Sequence, residues 1–175
     1  MNTAYLIERK HSQLTVSGKG ARLSKSHELT RPERQELFKR LSVLSNGLQP
    51  MQQTEAKQRY SYLRLVLAAE KLTAEEAKLM LAEAADVLGK YPRWAFDQVL
   101  DEYRHGRLGD GKFVPKIAEL AIEIRKRIEP FQTEKARIEQ ILHAQVQEER
   151  IEYSEEHRSM MLKKFEDLSA ELRRA

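Results

Sequence analysis

Cysteine is absent from the 175 residues. That excludes a disulfide framework and every thiolate metal site, and it fits a reducing compartment. No apolar run approaches the roughly 20 residues that a bilayer span requires. Near the start, Tyr5-Leu6-Ile7 is followed at once by Glu8-Arg9-Lys10, so the apolar stretch of a signal peptide is missing. A cytoplasmic protein with no membrane partner is the expectation. The phosphate-cradling pattern Gly-x-x-x-x-Gly-Lys-Ser/Thr is missing too. Gly109-Asp110-Gly111-Lys112 has the wrong spacing for it and no strand before it. There is no His-Glu-x-x-His helix, and the histidines (His11, His27, His105, His143, His157) lie far apart. Nothing selects a catalytic pair from so many carboxylates. No catalytic residue, metal site or cofactor is therefore read from the sequence, and an enzyme is not expected.

Aromatic residues are scarce at 7%, with one Trp, and there are five Pro. Charged residues make up 33%, a composition typical of long surface helices and coiled coils. The net charge is +4, and residues 1–29 hold most of it: Arg9, Lys10, Lys19, Arg22 and Lys25 stand against Glu8 and Glu28. Residues 8–29 mix Ser, Gly, Lys and His with few apolar residues and read as disordered after a short ordered piece at Thr3–Ile7, so residues 1–29 are expected to form a basic, disordered arm. Such an arm is either solvated or in contact with phosphate.

Helix signals begin at Thr30-Arg31-Pro32-Glu33, a capping box with Pro in the first turn. Leu37, Phe38, Leu41, Leu44 and Leu48 follow at helical spacing, and Asn46-Gly47 and Pro50 end the run. A second helix is expected over about Gln52–Lys71 with Tyr60, Leu63, Leu67 and Leu72 inward. Thr73 with Glu76 is a second capping box, followed by Ala77, Met80, Leu81, Ala84, Val87 and Leu88. A fourth helix starts at Pro92 and is expected to bury Phe96, Val99, Leu100 and Tyr103. From Pro115 a long helix carries Ile117, Ala121, Ile124, Ile128, Phe131, Lys135, Ile138 and Leu142 at heptad-like spacing. Pro130 predicts a kink or break near Arg127–Glu129. That seam has two uses, self-association or packing back on the other helices. Ser154 caps a last helix with Met161, Phe165, Leu168 and Leu172 on one face. Leu14–Val16 and Gly111–Val114 are the nearest approaches to strands and are too short to found a sheet.

The fold class read from these signals is all-α: a helical bundle over residues 30–129, then a helical hairpin or coiled-coil arm over 130–175. Within the bundle, Tyr91–Leu120 reads as helix, glycine-rich elbow, helix. It holds the only Trp and the basic residues Arg93, Arg104, Arg107, Lys112 and Lys116, and Arg125, Lys126 and Arg127 add a basic step further along the long helix. Two readings stand for the cluster, a nucleic-acid surface or i,i+4 pairing with Asp97, Asp101, Glu102 and Glu123. A helix-turn-helix is disfavoured, because the would-be reading helix presents Asp97, Asp101 and Glu102 to phosphate. Trp94 is either an anchor for a partner, with Tyr91, Arg93 and Phe113 beside it, or an aromatic cap on the core beneath the elbow.

The string Tyr-Pro-x-Trp … Gly-Lys-Phe-x-Pro-x-x-x-Glu-Leu at Tyr91–Leu120 resembles phage and prophage replication accessory proteins of the helicase-loader type that lacks an ATPase domain. The resemblance covers about thirty residues of the 175. It implies a non-catalytic protein that binds the replicative helicase and helps place it on DNA. Two other functions remain open: a DNA-binding regulator with a dimerising coiled coil, and a helical assembly protein that self-associates through its C-terminal helices.

Overall fold

Thr30 and Thr73 do what their spacing predicts. Each hydroxyl accepts from the backbone N–H three residues on, and the glutamate there reaches back to the threonine N–H. These boxes start α2 (Arg31–Gly47) and α4 (Ala74–Leu88). Between them, α3 runs over Gln53–Val66, shorter than expected, because Leu67 turns to an extended conformation. Then come α5 (Arg93–Arg104) and α6 (Ile117–His143). The computed structural model describes residues 2–17, 20–67, 71–109, 113–147, 155 and 159–165. Gly111, Lys112, Ser154, Leu168 and Leu172 lie outside these. The chain is mostly helical, and no helix among the described residues is long and apolar enough to cross a membrane.

Two features differ from the sequence reading. First, the segment expected to be a disordered arm forms helix α1 (Thr3–Ser12) and a hairpin of β1 (Thr15–Ser17) with β2 (Gly20–Ser24). Second, there is a small sheet. β3 (Gln145–Gln147) adds parallel to β2, with Leu23 opposite Val146. Asn2 caps α1 through its side-chain oxygen, and Leu6, Ile7 and Leu23 are buried.

The apolar residues collect in two cores. The first joins α3, α4, α5 and the first half of α6 around Leu63, Leu88, Phe96 and Ile124. The second joins α1, α2 and the last turns of α6 around Leu6, Leu37, Ile138 and Ile141. Helix α6 thus supplies both, and the seam of residues 117–142 packs back within the chain. Pro130 falls where α6 passes from one core to the other. The helix runs through it without a break.

Gly106 and Gly109 carry the elbow at φ 64° and 66°. A Cβ on Gly109 would come within 3.2 Å of the Tyr103 ring, whereas one on Gly106 would meet open space. Gly109→Ala is therefore expected to cost more than the roughly 1–2 kcal/mol that left-handed strain alone imposes. Gly106→Ala should cost only that strain. Paired urea titrations check the order.

Candidate functional site

The first turn of α5 is where the chain shows its single Trp. Pro92 sets the entry, and residues 94 and 96 then go opposite ways: Phe96 is buried while Trp94 is 36% exposed. The Trp94 indole N–H donates to the Gly47 carbonyl at 2.6 Å. That carbonyl belongs to the last turn of α2, where backbone acceptors lack intrahelical donors. The indole meets the Phe131 ring edge-on, with centroids 5.2 Å apart at 80°. Together with Val43, Leu44 and Leu48 the two rings line a pocket of about 140 Å³. Arg40 closes one side and is held by two hydrogen bonds to Glu134, at 2.7 and 2.8 Å. Those bonds raise the Arg40 pKa against the opposing effect of burial. The pocket lies where the two cores meet, so α2, α5 and α6 all contribute. Trp94 is accordingly not a cap beneath the elbow; the ring under Gly109 is Tyr103.

The other expected partner residues separate. Tyr91 accepts from the Arg125 guanidinium at 2.7 Å and is half-buried. Arg93 is ion-paired with Glu55 at 3.2 Å and Asp97 at 3.5 Å, on the flank of Trp94. Phe113 is 68% exposed and lines a different groove, with Tyr60, Met80 and Ile117.

Within the basic cluster, Arg107, Lys126 and Arg127 are paired with carboxylates. Arg127 is bound between Glu102 and Glu123. Burial would lower its pKa, but the two carboxylates outweigh burial and raise it. Lys126 pairs with Glu123 at 2.7 Å, and this contact does most to hold the Glu123 carboxyl below its usual range. Arg107 pairs with Asp101 at 2.9 Å. Arg104 lies 5.5 Å over the Tyr62 ring, in a cleft between α3 and α5 that also carries Glu55, Arg59, Asp97 and Asp101. At Lys116 the backbone N–H is capped by Glu119. Lys112 lies outside the described residues. Of the expected i,i+4 pairs, Arg127–Glu123 and Arg93–Asp97 are present, while Arg107–Asp101, Lys126–Glu123 and Arg127–Glu102 pair at other spacings.

Sequence reasoning missed Phe131 as the companion of Trp94, and missed Val43 and Arg40 entirely. Phe131 lies in the heptad-like seam, and only its i,i+3 and i,i+4 relation to Ile128 and Lys135 is legible in the sequence. Among the described residues no group of His, Asp and Glu is arranged to hold a metal ion. The chain matches no family model, no curated protein and no solved structure.

Proposed function

We propose that the protein is a non-catalytic, cytoplasmic accessory factor of phage-type DNA replication that binds the replicative helicase through the Trp94–Phe131 pocket and helps load it on DNA. One observation carries the binding half of this reading. The only Trp of the chain is held half-exposed by a hydrogen bond and an edge-on ring contact, over a concave apolar pocket. A partly exposed Trp fixed in one orientation beside Arg side chains is the pattern of an interface hot spot, because its ordering cost is met before the partner arrives. The helicase half rests on the resemblance at Tyr91–Leu120, which contributes Trp94 itself. DNA contact is secondary in this reading. Arg107, Lys126 and Arg127 already face carboxylates, so the counterion release that drives phosphate binding is small there. The regulator with a dimerising coiled coil is the weaker reading, since residues 117–142 pack inward.

Surface plasmon resonance with a purified replicative helicase tests this. Trp94→Ala should weaken binding by about tenfold or more, the loss typical of a hot-spot Trp. Phe113→Ala, in the other groove, should change it by less than about threefold. Equal losses, or salt-sensitive DNA binding with no helicase binding, would sink the proposal.

A further inference from the structure

Helix α2 turns its acids inward and its cations outward. Its carboxylates are Glu33 and Glu36. Glu33 is buried behind Arg9, Lys10 and Thr30. Glu36 is half-buried and accepts from the Thr3 hydroxyl at 2.8 Å. Among the described residues, Arg40 alone of the α2 cations has a carboxylate partner, Glu134. Arg31, Arg34 and Lys39 are exposed and form no ion pair with a described residue. They share the outer stripe of the helix with Gln35, Phe38 and Ser42, at steps of three and four residues, and no acid falls on that stripe. Phe38 sits in its middle, one turn after Arg34 and beside Lys39, and is 52% exposed.

We propose that this outer face of α2 binds single-stranded nucleic acid, with Arg31, Arg34 and Lys39 on the phosphates and the Phe38 ring stacked on an unpaired base. The inference stands on α2 alone and does not depend on the helicase reading.

Charge, shape and the ring together select this occupant. Arg107, Lys126 and Arg127 already face carboxylates. The three α2 cations instead hold counterions that a phosphate chain would release. Arg31 and Lys39 stand about 12 Å apart along the axis, and the three cations fan around a convex face. That spread suits a string of phosphates and gives one small anion no point where all three converge. An exposed ring set among cations is the arrangement that holds a single strand, because every base has a π-face and its phosphates stay within reach of the flanking charges. A duplex keeps its bases stacked on one another and leaves Phe38 without a role. A lipid surface takes up the apolar face of an amphipathic helix, and that of α2 is already buried in the second core through Leu37 and Leu44. An acidic polypeptide matches the charge but gives the ring no flat face to stack on.

The test uses the full chain and fluorescein-labelled oligo(dT), read by fluorescence anisotropy across a potassium chloride series. Arg31→Gln, Arg34→Gln and Lys39→Gln should each make the slope of log affinity against log salt shallower by about 0.7, and by about 2 together. Lys126→Gln should leave the slope unchanged. Phe38→Leu keeps apolar bulk but removes the π-face. It should weaken binding at least about fivefold with the slope unchanged, and Phe38→Trp should bind at least as tightly as wild type. All these positions are exposed, so circular dichroism should show the fold retained in every variant. A slope indifferent to the three α2 cations overturns the proposal, and so does equal affinity of Phe38→Leu and wild type. A duplex or a poly-Glu chain of equal length that binds as tightly as the single strand also overturns it. Single-strand binding with no helicase binding by any variant would sink the partner reading and leave this one standing. Helicase binding with no oligo(dT) binding would do the reverse.

Discussion

Glu33→Ala should destabilise the protein by about 3–5 kcal/mol, the usual cost of stranding one partner of a buried ion pair. Glu33 and Lys10 are both about 95% buried, at 5% exposure each. One carboxylate oxygen accepts from Arg9 and the other from the Thr30 N–H and hydroxyl, with the Lys10 ammonium 3.3 Å away. Lys10 also donates to the carbonyls of His27 and Glu28. The pair therefore ties α1 and the turn after β2 to the first turn of α2. Burial pushes the Glu33 pKa up, but the Thr30 hydrogen bonds and Lys10 together outweigh it and leave it below the usual carboxylate range. A depressed folded pKa gives stability that is complete above the unfolded value and is lost as pH falls through the folded one. Acid should thus loosen the tie between α1 and the first turn of α2. Hydrogen exchange across a pH series reads this directly: amides of α1 should lose protection on acidification in the wild type. In Glu33→Gln they should be weakly protected at neutral pH and show little further dependence. Uniform loss across both cores would show that Glu33 is not the acid-sensitive point.

That lock explains which parts of the fold the sequence made visible. Helices α2, α4 and α5 were legible because their signals are local: a capping box, or Pro at the start, then apolar residues one turn apart. Phe96, Val99, Leu100 and Tyr103 are all buried as the spacing requires. Helix α1 was not legible. Its buried positions are Leu6, Ile7 and Lys10, and a lysine at an inward position reads as surface unless its carboxylate partner, 23 residues away, is known. The sheet was hidden for a similar reason. Its strands are too short to show alternation, and Leu23 meets Val146 across most of the chain. Phe38 erred the other way: it follows Leu37 in the stripe, yet it is exposed. For the site, sequence picked out Trp94 by rarity and Arg93 by adjacency. It could not place Phe131 beside Trp94, because that contact depends on how α6 crosses α5. Nor could it show that Phe113 faces another groove.

Phe96→Ala is expected to cost about 3–5 kcal/mol, the range for deleting a fully buried ring. Phe96 is 1% exposed and packs in the first core between α5 and its neighbours. Trp94 is untouched by the change, so its fluorescence remains a probe of the junction between the cores. The contrast with Ile138→Ala is the informative part. Ile138 is wholly buried in the second core, and its truncation should cost about 2–5 kcal/mol. Both residues act on a structure in which α6 serves both cores and the Trp94 indole bonds to the end of α2. A helix shared in this way couples the cores: unfolding either one strips α6 of half its buried face, and an isolated half-helix of about 13 residues is marginal in water. Circular dichroism and Trp94 emission should therefore give one coincident urea transition in the wild type and in both variants, each shifted to lower urea. If Ile138→Ala instead separates the two transitions, with Trp94 emission changing after α-helix is lost, the cores are independent units. The pocket at their junction would then be hinged and not rigid. A hinged pocket would spend part of any binding energy on ordering itself, and Trp94 would lose the pre-organisation that makes it a strong anchor.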